Sequence, residues 1–487
     1  MNRLDRLIAW FNPAKGVSRA RSRTALEVVR SYEGASRGRR LANWAPPSTN
    51  ANSETTFQLR ALRDRSRDLV RNNSWASRSI QVIANNVVGT GILPQASGRT
   101  KASSKRLQAL WEQWGDTLEC DADGRNNFYG LEALVMRTVA ESGECLIRRR
   151  WRKDSDGLSV PMQLQIMEPD YLDVFKDGPT ANGYIIQGIE FDKIGRRVGY
   201  WLYPQHPGGR QGYGLAMPSA LVDASEILHI YRADRPGQVR GVPWCAPAIV
   251  KLRDLADYED ALLLRQKLSA CFTAFVTEPE GVANGTASIA ESLEPGAIEI
   301  LPPGKSIEFA APPSPSGTGE YTVDVQRAIA AAFGITFEAM TGNMQRVNFS
   351  SGRMGWIEMH RNVEAWQWHM LVPQMCSGVW SWFCDAAETQ GYERTAATWT
   401  PPRREMIDPS KEIRATIDAI RAGLMSLSEG LRKLGYDPAT VLNEKAADQK
   451  LLDSLGLMLD SDPRADKGRN DNSKDTDSTE EDDNADD

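Results

Sequence analysis

The period of apolar positions is clearest around residues 341–382. Residues 341–352, TGNMQRVNFSSG, are polar and punctuated by Gly342 and Gly352, which read as hinges of a loop. From about Arg353, the residues Trp356, Met359, Val363, Trp366 and Met370 recur at steps of three and four. That spacing predicts a helix with one continuous apolar stripe, whose first reading is a packing face. Five of the fourteen tryptophans lie here: Trp356, Trp366, Trp368, Trp380 and Trp382. Ser350, Ser351 and Gly352 suit a cap at the start of the helix. Pro373 removes a backbone donor and predicts a kink or break.

The same patterning predicts helices over 54–92, interrupted at Asn72 and Asn73, and over 103–114 and 128–142. Alternating or β-branched runs at 144–151, 162–167, 184–191, 197–203 and 227–231 predict strands. The combination is an α+β domain. A helix over 247–272 follows, which would be roughly 39 Å long. Next come a Pro/Gly-rich stretch, 278–319, with short strands at 297–301 and 306–309, and a returning helix at 323–333. Three punctuated helices close the pattern: Asp408-Pro409 to Gly423, Ser426 with Glu429 to about Gly435, and Asp437-Pro438 to about Gly456. Arg60, Arg63, Arg67 and Arg71 share one helical face, read here as solvated.

With 487 residues, 41% hydrophobic and 25% charged, the chain can bury a core, and its composition selects no function. Charge is informative only when divided. Residues 1–40 hold ten Lys or Arg against three acids, and residues 460–487 hold twelve acids against four bases. These ends carry +7 and −8, leaving −5 of the net −6 for the body. The basic arm suits either a solvated terminus or an acidic partner such as nucleic acid, and the acidic tail a solvated, disordered end. No segment has the apolar length of a membrane span or signal peptide, so a cytoplasm-like compartment is expected. The six cysteines lack any CxxC pairing and read as buried free thiols.

Catalytic signatures fail one by one. Gly304-Lys305-Ser306 ends like a phosphate-binding loop, but Glu299 stands where the first glycine belongs. Val88-Gly89-Thr90-Gly91 lacks the third glycine of a dinucleotide fingerprint. His360 and His369 are nine residues apart, on different helix turns. Glu358 and Glu364 form no paired-acid motif. No catalytic residue, metal site or cofactor is expected.

An ordered set of short motifs resembles the lambda-type family of tailed-phage portal proteins over roughly residues 20–457. The set is Arg71-Asn-Asn73, Asn86-Val-Val-Gly-Thr-Gly-Ile92, Gly143-Glu-Cys-Leu146, Leu164-Gln-Ile-Met-Glu-Pro-Asp170 and His229-Ile-Tyr231. It continues with Arg235-Pro-Gly-Gln-Val-Arg-Gly-Val-Pro243, Leu255-Ala-Asp-Tyr-Glu-Asp-Ala261, Asn348-Phe-Ser-Ser-Gly-Arg353, residues 399–402 and Asp408-Pro-Ser-Lys-Glu412. The resemblance implies a multi-region α+β portal fold. Its regions would be a basic arm (1–53), an α/β wing (54–243), stem helices (244–334) around a small β-containing clip (about 273–319), a tunnel loop and wing helix (335–402), a helical crown (403–459) and a disordered acidic tail (460–487).

By the same resemblance, copies would form a ring of twelve at one capsid vertex. That ring would be the channel for packaging and ejecting double-stranded DNA, bound without sequence preference. Implied partners are the terminase large subunit, a head–tail connector protein, and the major capsid and scaffold proteins, with no membrane. The chain would sit in the virion after assembly in the host cytoplasm and would not be an enzyme. Asn343, Gln345, Arg346 and Asn348 are the expected channel-facing residues. Two competing classes are another virion head–tail adaptor, which would not explain the stem–clip–stem order, and a terminase-like DNA-processing enzyme, against which the failed phosphate loop counts.

Overall fold

The computed structural model describes residues 43–209, 218–270, 274–277, 306–309, 318–402, 406 and 408–459, with a few helical positions between 10 and 22. Two compact units make up the chain, residues 1–54 and 55–487, and the second carries the elements that follow. Helices α1 (Leu59–Asn72) and α2 (Ser74–Val87) meet at Asn73. Its extended backbone ends the first helix, while its side chain accepts from the backbone N–H groups of Trp75 and Ala76, capping the second. Strand β1 (Leu93–Ser97) and helices α3 (Lys101–Trp114) and α4 (Phe128–Ser142) complete this section.

Strands β2 (Glu144–Trp151), β3 (Met162–Met167), β4 (Gly178–Thr180), β5 (Gly183–Ile186), β6 (Ile189–Asp192), β7 (Arg197–Leu202), β8 (Ala220–Asp223) and β9 (Ile227–Tyr231) form two antiparallel sheets, in orders β3-β2-β9 and β4-β5-β6-β7-β8. β2 is central and buried on both faces at its start. Cys145 and Ile147 pack into the helical core, whereas Leu146 joins Leu172, Ile189 and Tyr200 between the sheets. Side chains alternate along a strand, so a doubly buried one needs the unbroken apolar run Cys145-Leu146-Ile147. The single strand expected over 184–191 is instead a hairpin, with Ile186 opposite Ile189. Its two turn residues, Gln187 and Gly188, both have positive φ, the conformation a tight two-residue hairpin demands.

Helix α5 (Ile249–Ala270) starts two residues after the expected border, and the expected end at 272 lies outside the described residues. Beyond it, β10 (Ala274–Thr277) pairs antiparallel with β11 (Ser306–Phe309), so the element at 306–309 has a partner that the periodicity did not reveal. The strand expected at 297–301 lies outside the described residues. Helix α6 (Thr318–Phe333) starts five residues earlier than expected, and short α7 (Phe337–Thr341) follows it.

Helix α8 (Phe349–Trp366), a π-helical segment Gln367–Cys376 and α9 (Ser377–Thr389) succeed one another without interruption. Of the kink or break expected at Pro373, a break is absent, and the helix departs from α geometry there instead. The proline sits inside the wider π turns, where the altered register accommodates its missing N–H. β12 (Ala396–Thr400) then returns to pair antiparallel with β1. Last come α10 (Pro409–Arg421), α11 (Leu427–Lys433) and α12 (Pro438–Leu455), capped by Asp408, Ser426 and Asp437 as their sequence punctuation predicts.

Much of the tryptophan segment lies in the main core. Trp380 and Phe383 pack on Trp111 at ring-centroid distances of 5.2 and 5.1 Å. Trp366 meets Trp244 at 4.7 Å. The five described cysteines, Cys120, Cys145, Cys245, Cys376 and Cys384, are free and buried, and burial pushes each thiol upward. Among the described residues, no helix is long and apolar enough to cross a membrane.

Candidate functional site

The loop between α7 and α8 is built by local hydrogen bonds. Gly342 ends α7 in the left-handed conformation, φ +71°, and donates its N–H to the Glu338 carbonyl at 2.8 Å. That conformation is cheap only for glycine. The Asn343 side chain accepts from the Gln345 N–H at 3.0 Å, which folds the next turn. Asn348 caps α8 in a reciprocal box: it accepts from the Ser351 N–H at 2.8 Å, and its own N–H donates to the Ser351 hydroxyl at 3.0 Å.

These bonds sort the expected channel residues into two pairs. Asn343 and Asn348 are committed to shaping backbone. Gln345 and Arg346 are exposed, and their side chains have no hydrogen-bond or ion-pair partner among the described residues. Gly352 is not a loop hinge, because α8 begins at Phe349 rather than Arg353 and places it in the first helical turn. A Cβ there would lie 3.0 Å from Val347 Cγ1, so the missing side chain lets the loop fold down on the helix.

The support is firm. Met359, Val363, Trp366 and Met370 are buried, and Trp356 is half-buried against the His360 ring, 4.1 Å between centroids. Asn362 Nδ2 donates to the Gly334 carbonyl at 2.9 Å, tying α8 to the end of α6. The π segment is held from below: Gln367 Nε2 donates to the Val87 carbonyl at 2.6 Å, and the Cys376 thiol donates to Glu132 at 3.3 Å. Glu132 also accepts from the Ile92 N–H at 2.8 Å and has no cation beside it, so burial pushes its carboxyl up to about 8. It is therefore a neutral acid at pH 7.

A second polar cluster was not expected from the sequence. The Glu144 carboxylate, opening β2, accepts from Arg63 Nη2 at 2.9 Å, Arg240 Nη2 at 2.6 Å, the Gly241 N–H at 2.8 Å and His229 Nε2 at 2.9 Å. Burial alone would raise its pKa, but Arg240 and the His229 hydrogen bond override it and hold the carboxyl far below the usual range. Burial lowers His229 to about 4 against the pull of Glu144, so its ring is neutral at pH 7. Gly143 and Gly241 permit this approach, since a Cβ on Gly241 would fall 2.1 Å from the Gly143 carbonyl oxygen.

Alongside, Arg67 pairs with Asp170 at 2.7 Å. The arginine stripe is thus not uniformly solvated: Arg63 and Arg67 turn into this lattice, and Arg60 and Arg71 stay exposed. Ligand atoms of Glu168, Asp170 and His206 come within 4.8 Å of one another. Arg67 lies 3.5 Å from Glu168 as well, so a guanidinium already supplies the positive charge a cation would bring.

The motif residues Glu144, Asp170, His229 and Arg240 are distant in sequence and meet in this one lattice, while Asn73, Asn348 and Asp408 are helix caps. The motifs that mark the chain are therefore scaffold residues. Comparison with known proteins gives the same family. The chain is 24% identical over 462 residues to a probable portal protein of Halomonas phage phiHAP-1, covering 88% of each. It is 20% identical over 499 residues to portal protein B of Escherichia phage lambda, covering 89% of this chain and 92% of that one. Among solved structures, a chain from the neck of a native gene transfer agent particle aligns with a TM-score of 0.47 at 17% identity, over 82% of this chain and 98% of that one. Residues 37–367 match the family described as phage portal protein, lambda family, and with most of its length inside that match the chain belongs to the lambda family of phage portal proteins.

Proposed function

We propose that twelve copies of this chain close into a ring around double-stranded DNA at one vertex of the virion capsid, with residues 341–348 lining the channel. The observation that carries this reading is the pair Gln345 and Arg346, exposed and without a hydrogen-bond or ion-pair partner among the described residues, on a loop fixed at both ends by Gly342 and the Asn348 cap. A ring multiplies each such group by the number of subunits, giving a circle of donors to phosphate oxygens that carries no sequence information. DNA must slide, so many weak contacts serve better than a few tight ones.

In this reading the two sheets with α1–α4 are the wing, and α5 and α6 are the stem. The antiparallel pair β10–β11 belongs to the clip, and α10–α12 form the crown. The ring docks the terminase large subunit during filling and a head–tail connector afterwards, within a shell of major capsid and scaffold proteins. The family is structural, and the terminase supplies the hydrolysis. The test is a particle carrying Gln345→Ala and Arg346→Ala. Packaged DNA per particle and its retention on storage should both fall, and particles that fill and hold DNA like the wild type overturn the assignment of this loop.

A further inference from the structure

Helix α8 carries apolar residues on two opposite sides. Met359, Val363 and Trp366 mark the side facing the core. At about 100° per residue, Met354 and Ile357 lie roughly 140–160° away from Met359 around the axis. They are 69% and 41% exposed, and Trp368, just past the helix end, is 45% exposed. Nothing in the described chain covers this ridge. Between the core face and the loop lies a groove of about 580 Å³, lined by apolar Val323, Phe337, Val347 and Trp356 and, on the loop side, also by Gln345 and Arg346.

We infer that the ridge of one copy, Met354, Ile357 and Trp368, seats in the groove of the next copy, against Val323, Phe337 and Trp356. The inference rests on the ring reading above and deepens it by naming the two surfaces. A closed ring of identical chains that meet head to tail needs two different, complementary patches on every chain. Here an apolar ridge and an apolar groove stand on opposite sides of one rigid helix. Charge agrees with shape at one point: beside Arg327 and Arg346 the groove holds the Glu320 and Glu338 carboxylates, which have no hydrogen-bond or ion-pair partner among the described residues, while exposed Arg353 beside the ridge is basic and acts within its own chain on the Asp408 carboxylate. Seating the ridge places this basic side chain near those acids.

The test separates the two surfaces in the full-length protein. Native mass measurement should find wild-type rings, monomers of the ridge variant Met354→Glu/Ile357→Glu, and monomers of the groove variant Val323→Glu. Circular dichroism melts show whether each variant is folded. Mixed in equal amounts, the two variants still offer one intact groove and one intact ridge, so the mixture should give a heterodimer that neither forms alone. If Val323→Glu fails to fold, Glu338→Arg takes its place, and its weakened assembly should be restored by Arg353→Glu in the same chain. Rings that survive the ridge substitutions, or folded variants that ignore each other when mixed, overturn the inference and leave the ring reading standing. A wild-type chain that never assembles overturns both.

Discussion

Glu144 and Glu132 are both wholly buried, yet the chain treats them oppositely. Glu144, opening β2, is surrounded by Arg63, Arg240, His229 and a backbone N–H, and stays ionised. Glu132, beneath the π segment, receives one backbone N–H and one thiol and takes up a proton instead. The first region stores its stability in charge matching, so its geometry must be exact to within a hydrogen bond. The second pays through titration and is correspondingly sensitive to alkali. Each buried acid thus exposes a different weakness of the same core.

The comparison breaks most sharply at Arg240. Arg240→Met leaves Glu144 with only part of its compensation, and removing one partner of a buried pair costs about 3–5 kcal/mol. Urea unfolding at pH 7 should show that loss, and a loss below about 1 kcal/mol would mean the lattice relaxes around the gap. Next in size is Glu132→Gln. A rise from 4.5 unfolded to about 8 folded costs on the order of 3 kcal/mol at pH 7. The unfolded carboxyl loses its proton first, so wild-type stability should fall as pH climbs from 4.5 to 8. The variant keeps an acceptor for Ile92, and should be the more stable at pH 8 with the decline flattened; parallel pH profiles for the two proteins would refute the buried neutral acid.

On the acid side, His229 moves the opposite way. Its folded pKa is about 4, so the unfolded chain binds a proton first and stability drains as pH falls from about 6.5 through 4. Thermal melts across that window should steepen below pH 4.5, where Glu144 begins to protonate in the unfolded chain. Smallest are the loop variants. Asn348→Ala removes a cap and should cost about 1 kcal/mol. Gly342→Ala forces a side chain into φ +71° and should cost about 1–2 kcal/mol. Both are read by thermal melting, and a neutral Gly342→Ala would show that the turn can be rebuilt without the left-handed residue.

What was legible in the sequence was local. Asp408, Ser426 and Asp437 announce their helices because a cap and its target lie within three residues. Met359, Val363, Trp366 and Met370 announce their stripe because helix period is written into spacing. The Glu144 lattice was not legible as a site, since its partners stand 81, 85 and 96 residues away. Nothing in the spacing of Arg60, Arg63, Arg67 and Arg71 separates the two members that enter the lattice from the two exposed ones. One signal was available: Glu144 opens the apolar run Cys145-Leu146-Ile147, and a carboxylate at the head of a doubly buried strand must find cations somewhere. The π turns around Pro373 and the strand at 274–277 depended on neighbours that periodicity does not name.

The hydrogen bond from the Cys376 thiol to Glu132 spans 244 residues, and that from the Gln367 side-chain amide to the Val87 carbonyl spans 280. During synthesis at about 5–20 residues per second, the ribosome needs roughly 12 to 50 s after making Glu132 before Cys376 exists at all. Until then the acid has no thiol above it, and the floor on which the π segment will rest is open to water. The two sheets can already be complete, because the lattice at Glu144 closes once residue 241 has emerged. Newborn chains should therefore pass through a stage with two finished sheets and an unroofed helical layer, the interval in which a chaperone would find this protein.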